Sequence, residues 1–372
     1  MSDQPERILI TGFSQGGTTL LLSLFDGHSG LSVYPDEPGL MRPYQRWPGY
    51  RSGQHLMIDC LVGTPDPVHL GDLFWQAGDR PNLQSRTSPV VRAPDTVIHE
   101  LRRRLPDMVK RKRLRGLEEQ LTTAEHERYF DRYYTLYLDR YAHAPATTLS
   151  ELLNAYFAAH QAGLEEIGAE ARHGRTQLIK QPISGMRALY HLNGLSQALG
   201  RPHIVFLERN PFARLLSNIK HKSRHTDAPA RLRSRPRAFL FRAAKNAYDW
   251  ALYCRLKKDL EKMPNLVVIN YDRLASDTAD AMHRLAAQLG LAFEDILLRT
   301  TKLGIDQQVV TNRTGAIGSA SNTSVDRWRK ELSPAEIGIQ ATLILAAHLY
   351  CRLRHRRTLS RAPNAPLQPV AD

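Results

Sequence analysis

The chain has 372 residues, of which 42% are hydrophobic, a length and apolar share that suit one large α/β domain or two smaller ones. Its formal net charge of +14 fits an anionic ligand without identifying it, because basic proteins also bind nucleic acids and membrane surfaces without specificity. The three cysteines lie far apart without Cys-x-x-Cys or Cys/His spacing, which argues against a disulfide framework or a zinc site, and no apolar run approaches the roughly 20 residues that span a bilayer.

Two features bear on location. The cysteine pattern favours a reducing compartment. The first predicted strand begins by Arg7, which leaves no room for a signal peptide, so we expect a cytoplasmic location.

The first predicted elements are a strand, a glycine-rich loop and a helix. The apolar run Ile8-Leu9-Ile10 ends in Thr11-Gly12-Phe13-Ser14-Gln15-Gly16-Gly17-Thr18-Thr19, and an apolar helix follows from Leu20. Such a loop aims backbone N–H groups and a helix N-terminus at one point, which attracts phosphate. An ordinary strand-to-helix turn is the alternative.

The spacing Gly12-x-x-x-x-Gly17-Thr18-Thr19 is that of a nucleotide-triphosphate P-loop, except that Thr18 stands where the P-loop has lysine. Because that lysine would reach the β- and γ-phosphates, its absence favours a nucleotide with one phosphate in the loop and no triphosphate tail. Nothing in this pattern calls for a metal ion.

The residues from Leu31 to Tyr34 predict a second short strand, which leads to the adjacent carboxylates Asp36 and Glu37 in a turn. The pattern then changes over residues 41–175, where proline-rich segments give way to helical, charged sequence. We expect this region to be a large, mainly helical insertion between core strands.

A stripe of aromatic residues lies in this insertion at helical spacing: Tyr129, Phe130, Tyr133, Tyr134, Tyr137 and Tyr141. Such a stripe is usually core or helix interface, and the alternative is an aromatic platform for a sugar or aryl acceptor. The basic runs at residues 102–104 and 110–113 are typical of a solvated helix face, with a binding patch as the alternative.

Regular α/β alternation resumes at Thr176, with strands predicted over residues 177–180, 203–208 and 266–269. Helices are predicted over residues 184–199, 211–222, 237–262 and 277–290 and from the capping box at Ser333 onward. The fold class is therefore α/β, with a P-loop-like parallel sheet flanked by helices and a large helical insertion. We expect a single domain over residues 1–356 and a disordered tail over residues 357–372.

A basic side chain is predicted at the carboxyl end of a buried strand, in Glu208-Arg209-Asn210-Pro211. Ligands of open α/β sheets collect at such ends, and a planar guanidinium there binds a phosphate bidentately. Ser217 follows eight residues later in the next predicted helix. A strand-end salt bridge is the alternative role for Arg209.

Two of these segments resemble motifs of the PAPS-dependent sulfotransferases. The run from Gln15 to Thr19 resembles their 5'-phosphosulfate loop, [KR]-S-G-T-T, with Gln15 in place of the basic residue and Gly16 in place of the serine. Arg209 and Ser217 fit their 3'-phosphate motif, R-[ND]-P-x-x-x-x-x-S, without gaps.

Two C-terminal segments also resemble this family. Asn270-Tyr271-Asp272-Arg273-Leu274 is similar to its Y-E-x-L turn, whose tyrosine contacts the cofactor in some members. The flexible run at residues 313–322 leads to a segment similar to R-W-R-K-x-L-[ST]-P of bacterial members. By that likeness Ser319, Asn322 and Arg327 would line the 3'-phosphate or cap the adenine, while Trp328 would pack.

The resemblance implies candidates for acid–base chemistry. Asp26-Gly27-His28 and then Asp36 and Glu37 are similar to D-x-H-P and the catalytic glutamate of tyrosylprotein and related carbohydrate sulfotransferases. The flanking residues favour Glu37 as general base and a gapless alignment favours Asp36, so Glu37 is the first candidate and Asp36 the second. His28 is the base to expect if both carboxylates point away.

Lys180-Gln181-Pro182 resembles the K-x-P element of the family, and the Lys180 ammonium would neutralise charge on the bridging oxygen as the sulfuryl group leaves. This role matters because Gln15 carries no charge. Either Lys180 supplies the electrostatic stabilisation or the enzyme is slow.

The resemblance implies a PAPS-dependent enzyme that transfers a sulfuryl group to a hydroxyl acceptor, releases adenosine 3',5'-bisphosphate and uses no metal. Carbohydrate is the first acceptor to expect, before lipid or small hydroxylated metabolites, and no nucleic-acid partner is expected. Two alternatives stay open: a P-loop kinase of a small metabolite, and a catalytically weakened homologue that binds the nucleotide without turnover.

Overall fold

A computed structural model describes residues 6–34, 149–169, 174–182, 196, 199–223, 231–306 and 325–359, with positions 122, 124–125, 127–129, 131–133 and 135–136. Asp36, Glu37, Ser319 and Asn322 lie outside the described residues. So do most of the predicted insertion, nearly all of the helix predicted at residues 184–199, and residues 360–372.

The strands are β1 (Glu6–Gly12), β2 (Leu31–Val33), β3 (Thr176–Lys180), β4 (His203–Glu208), β5 (Leu266–Asn270), β6 (Thr301–Lys302) and β7 (Ile305–Asp306). The α-helices are α1 (Thr18–Phe25), α2 (Leu149–Glu166), α3 (Pro211–Ser223), α4 (Pro236–Leu260), α5 (Tyr271–Ser276), α6 (Thr278–Gln288), α7 (Arg327–Glu331) and α8 (Pro334–Leu359).

Five strands form one parallel sheet in the order β2-β3-β1-β4-β5, and helices flank it, which confirms the predicted α/β class. The chain moves from β1 to one side for β2 and β3 and then crosses to the other side for β4 and β5. The order of strands therefore reverses around β1, and ligands of such sheets bind outside the carboxyl ends at this point.

The register aligns the carboxyl ends of the strands. Ile10 of β1 is opposite Lys180 of β3, and Gly12 is opposite Leu207 of β4. Leu207 is in turn opposite Ile269 of β5. Residues that immediately follow β1, β3, β4 and β5 consequently emerge along one edge, a few strand spacings of about 4.8 Å apart.

The two central strands, β1 and β4, are apolar and are buried on both faces of the sheet. The side chains from Ile8 to Ile10 and from Ile204 to Leu207 are all fully or almost fully buried. This confirms the sequence-based assignment of β4 as a continuously apolar, buried parallel strand.

The chain divides into two compact units that are interleaved in sequence. The first comprises Met1–Arg209 and Pro264–Ser324 and carries the five-stranded sheet; the second comprises Asn210–Met263 and Val325–Asp372 and carries α3, α4, α7 and α8. The single domain expected over residues 1–356 stays a prediction.

Helix α8 begins with the capping box that the sequence predicts. The Ser333 N–H donates to Glu336 Oε2 at 2.9 Å, and the Glu336 N–H donates to Ser333 Oγ at 3.3 Å. Helix α8 continues to Leu359, three residues into the tail predicted over residues 357–372, and the disorder of that tail stays a prediction. Arginine and leucine are good helix formers, and positive charge is favourable near a helix C-terminus.

No described helix is both long and apolar enough to span a bilayer.

Candidate active site

The loop between β1 and α1 has a backbone that depends on its glycines. Gly17 has φ +100°, and a Cβ there would lie 2.2 Å from Cδ2 of Tyr271. A Cβ on Gly12, at φ +148°, would lie 2.6 Å from the carbonyl oxygen of Leu207. Gln15 also adopts a left-handed φ of 66°, which is uncommon for a non-glycine residue and often marks a functional loop.

Helix α1 begins at this loop with an N-terminus suited to an anion. Gly17 is the N-cap and provides no side-chain cap, and the first turn of α1 carries no acidic residue. The N–H groups of Leu20 and Leu21 bond to the carbonyl oxygen of Gly17, but the first N–H groups of a helix have no partner within it. Backbone donors and the helix dipole thus favour negative charge at Thr18 and Thr19.

Arg209 emerges from β4 and contacts the loop directly. Its Nη1 donates to the carbonyl oxygen of Gln15 at 2.8 Å, and its guanidinium carbon lies 4.2 Å from the centroid of the Tyr271 ring. Because the Tyr271 ring also contacts Gly17, the ends of β1, β4 and β5 meet at one cationic group. The strand-end position predicted for Arg209 is confirmed.

Two asparagines explain why the chain turns at these strand ends. Asn210 Oδ1 accepts from the N–H groups of Phe212 and Ala213 at the start of α3. Asn270 Oδ1 accepts in the same way from the N–H groups of Asp272 and Arg273 in α5. Asn270 is the last residue of β5 and caps α5, whereas Asn210 follows β4 by two residues and caps α3. Arg209 therefore lies just before one cap and Tyr271 just after the other.

Lys180 lies on the opposite side of β1 from Arg209. It is 6% exposed at the end of β3, and its Nζ donates to Thr19 Oγ1 at 3.1 Å. The backbone that follows is held against β1, since Gln181 donates its N–H to Ile10 at 2.9 Å and accepts from Thr11 Oγ1 at 2.8 Å. A buried ammonium group thus contacts the first turn of α1.

His28 occupies a structural position. It is 2% exposed, its Nδ1 accepts from the Gly30 N–H at 3.0 Å, and its Nε2 donates to the Ala292 carbonyl oxygen at 2.8 Å. Both ring nitrogens are thereby engaged with backbone groups. Because of these contacts, His28 ranks third as a candidate base, after Glu37 and Asp36.

The predicted site residues fall into three groups. The described structure brings together Gln15, Gly16, Gly17, Thr18, Thr19, Lys180, Arg209 and Tyr271 at one edge of the sheet. Ser217 lies on α3 and Arg327 on α7, both in the second unit, and Arg327 Nε pairs with the Glu331 carboxylate one turn later. Apart from His28, which is described above, the remaining candidates are Asp36, Glu37, Ser319 and Asn322, and they lie outside the described residues.

Trp328 packs as expected, because its ring stacks on Phe212 with centroids 4.7 Å apart. It belongs to the apolar cluster of the second unit rather than to an exposed surface.

A buried phenol network is a feature that the sequence did not predict. Tyr34 Oη and Tyr133 Oη are 2.9 Å apart, and Tyr129 Oη is 2.6 Å from His160 Nδ1. Tyr129 and Tyr133 are 2% and 4% exposed, so these two members of the aromatic stripe belong to the core. Tyr34, the last described residue before Asp36 and Glu37, is thereby anchored.

Burial determines the protonation of the histidine in this network. His160 is 2% exposed, and desolvation lowers its pKa from 6.5 to about 4, although a hydrogen bond to the backbone of Val33 opposes the shift. His160 is therefore neutral at physiological pH. The helical spacing of the aromatic stripe predicted that Tyr129 and Tyr133 pack in the core, but no local pattern predicted their hydrogen-bond partners His160 and Tyr34.

Residues 5–295 match the sequence model described as "Sulfotransferase family", and the chain belongs to that family. This membership supports sulfuryl transfer as its general chemistry.

Two solved structures are similar to the chain. The sulfotransferase domain of the olefin synthase from Synechococcus PCC 7002 is 17% identical, covering 92% of this chain and 95% of the other, with a TM-score of 0.45. The sulfotransferase domain from the curacin biosynthetic pathway is 15% identical, covering 92% and 98%, with a TM-score of 0.44. No curated protein matches the chain significantly.

Proposed function

We propose that this chain transfers a sulfuryl group from PAPS to the hydroxyl group of an acceptor, with carbohydrate as the first candidate. The observation that carries the proposal is the convergence of the loop, Lys180 and Arg209 at the carboxyl edge of the sheet. Family membership supports the sulfuryl chemistry, while the donor is inferred from the chemistry of these residues and the carbohydrate acceptor from the resemblance to carbohydrate sulfotransferases.

The donor groups at this edge fit an anionic nucleotide with two separate charged ends. A helix N-terminus without an acidic residue and the Lys180 ammonium suit the 5'-phosphosulfate, while the Arg209 guanidinium suits a second phosphate. Ser217, Ser319, Asn322 and Arg327 would extend the 3'-phosphate and adenine contacts by family likeness. Tyr271 orients Arg209 through its ring.

The residue at position 18 argues against a triphosphate. A P-loop lysine neutralises the β- and γ-phosphates, and Thr18 has no charge to do so. Lys180 approaches the first turn of α1 from β3 and bonds to Thr19, which suits charge on a single bridging oxygen. A kinase is therefore the weaker assignment for this site.

When bound, PAPS supplies an activated sulfuryl group whose leaving group is a phosphate. The chain's own contribution is to hold the two ends of the nucleotide in line with the acceptor and to stabilise charge on the leaving oxygen. Lys180 is suited to the second task because its ammonium group is buried, and a buried charge interacts more strongly than one in water. Glu37 would accept the proton of the acceptor hydroxyl, with Asp36 as the second candidate.

Tyr34 supports this assignment of the base by fixing the start of the segment that carries both carboxylates. Its ring is 8% exposed and its hydroxyl bonds to Tyr133, while its N–H bonds to the Leu178 carbonyl oxygen at 2.9 Å. The chain consequently leaves the sheet beside β3, on the side of β1 where Lys180 lies.

The proposal is tested by incubating the full chain with radiolabelled PAPS and a panel of sugars, lipid-linked alcohols and tyrosine peptides. Formation of adenosine 3',5'-bisphosphate with transfer of label to a sugar hydroxyl is the expected result. ATP turnover in the absence of PAPS would instead identify a kinase. Tight binding of the bisphosphate without transfer to any acceptor would identify a weakened homologue, an alternative favoured by the neutral Gln15.

A further inference from the structure

The second unit exposes an apolar surface that the proposed reaction does not use. Among the residues that the structure describes, every exposed large hydrophobic side chain lies on α4 or α8. They are Leu240, Phe241, Leu345, Leu349, Tyr350 and Leu353, and we refer to them as the α4/α8 face. Phe241 is 71% and Leu353 70% exposed, which is costly for side chains of this size in water.

The part of this face on α8 is a continuous stripe. Leu345, Leu349 and Leu353 recur every four residues, so they lie on one side of the helix over about 12 Å. From Ile337 to Cys351 the helix contains no Asp, Glu, Lys or Arg. An uncharged, half-exposed stretch of helix is unusual in a chain with a net charge of +14 and indicates a binding surface.

The α4 residues adjoin this stripe. The rings of Tyr248 and Tyr350 lie 5.9 Å apart across the two helices. Phe241 precedes Tyr248 by seven residues and therefore lies on the same side of α4. Near the starts of the two helices, the Leu232 N–H donates to Glu336 Oε1 at 3.0 Å. Leu232 thus lies beside Glu336 and Tyr248 beside Tyr350, so α4 and α8 run in the same direction.

Arginines border the face at both ends. Five lie within residues 231–242, and residues 228–248 contain no Asp or Glu. Arg233, Arg235 and Arg237 are exposed around the start of α4, where the first turn is also free of acidic residues and the helix dipole adds positive charge. Burial, and then the charge of Arg235, lower the pKa of Arg242. At the far end, α8 exposes Arg352.

From this combination we infer that the α4/α8 face binds the surface of an anionic phospholipid bilayer. Exposed leucine and phenylalanine side chains enter the boundary between headgroups and acyl chains, while arginines at the rim bind the lipid phosphates. The inference concerns the second unit alone and does not depend on the identity of the sulfuryl donor or acceptor.

The distribution of charge argues against two other partners for the α4/α8 face, a second copy of the chain and a nucleic acid. A second copy packed about a two-fold axis would bring arginine-rich ends together, either Arg352 against Arg233–Arg237 in an antiparallel pair or each end against itself in a parallel one. A nucleic acid would leave the leucine stripe without an apolar partner, because its contacts are mainly with phosphates.

The test is co-sedimentation of the full chain with vesicles of phosphatidylcholine alone or with added phosphatidylserine. We expect binding only to the anionic vesicles and its loss at about 0.5 M salt, where exposed charges are screened. The triple variant Arg233→Gln, Arg235→Gln and Arg237→Gln should bind about 100-fold more weakly, at about fivefold per arginine. The charge-matched control replaces the exposed Arg201, Arg284 and Arg299 of the first unit with glutamine and should retain binding.

A second variant, Phe241→Ser with Leu349→Ser, tests the apolar contribution without creating a core cavity, since both side chains are exposed. It should lose vesicle binding while its thermal unfolding and nucleotide affinity stay unchanged. The inference is overturned if the full chain binds neutral vesicles as well as anionic ones, or if the control triple variant loses as much binding as the first triple variant. Tighter binding to RNA than to anionic vesicles also overturns it. A dimer in sedimentation velocity that this variant dissociates also overturns it, with a second copy as the occupant.

Discussion

Nη1 of Arg209 lies 2.8 Å from the carbonyl oxygen of Gln15, so the arginine expected to hold the second phosphate of a nucleotide also braces the loop expected to hold the first. The two residues are 194 positions apart and meet because β4 lies next to β1 in the sheet. A guanidinium group has five N–H donors, and this bond uses one of them. We therefore expect Arg209 to couple the shape of the loop to nucleotide binding.

Replacing Arg209 tests this coupling. Arg209→Ala should weaken the affinity for adenosine 3',5'-bisphosphate by about 1.5 to 3 kcal/mol, or roughly 10- to 150-fold, because a charged hydrogen bond is lost. Arg209→Lys should recover only part of the affinity, since lysine lacks the planar fork. Isothermal titration calorimetry measures both, with Arg201→Ala as the control. An affinity unchanged in Arg209→Ala would remove Arg209 from the site.

Lys180 is expected to act on turnover more than on binding. Lys180→Gln removes the charge with a polar side chain one bond shorter, and it should lower kcat by about 100- to 1,000-fold. Gln15→Lys should raise kcat, because it restores the basic residue of the family loop. Steady-state kinetics with PAPS measures both variants. A Lys180→Gln enzyme with normal kcat would show that the leaving oxygen is stabilised elsewhere.

The general base is tested with isosteric substitutions. Glu37→Gln should lower kcat by about 100-fold or more and leave the affinity for adenosine 3',5'-bisphosphate intact, because the base contacts the acceptor rather than the nucleotide. Asp36→Asn should have the smaller effect. The opposite order would identify Asp36 as the base, and normal turnover in both variants would contradict a carboxylate base in this segment.

Stability should fall in mild acid because of His160. The unfolded histidine binds a proton below its pKa of 6.5, whereas the buried one does so only near pH 4, so the free energy of unfolding decreases as pH falls through this window. Between about pH 7 and 5 the loss attributable to His160 is about 2 kcal/mol. Urea unfolding of the wild type and of His160→Gln measures it as the difference in their pH dependence. Parallel pH profiles would mean that His160 is not buried in its neutral form.

Local patterns in the sequence predicted much of the framework of the site. The apolar run of β4 gave its bounds, and the Asn-Pro pair after Arg209 indicated where α3 begins, because both signals act over a few residues. The contacts of Arg209 with Gln15 and of His28 with Ala292 were not predictable, since they join residues 194 and 264 positions apart. His28 illustrates the consequence, because a motif position made it a candidate base while tertiary contacts engaged both of its nitrogens.

Nucleotide selectivity is the measurement that tests the central claim most directly. Calorimetric titration of the full chain with adenosine 3',5'-bisphosphate, AMP, ATP and NAD should give the tightest binding for the bisphosphate, because only it presents two separate phosphates to the α1 N-terminus and Arg209. Its advantage over AMP should disappear in Arg209→Ala. ATP that binds as tightly as the bisphosphate, or a bisphosphate that binds no better than AMP, would contradict the account.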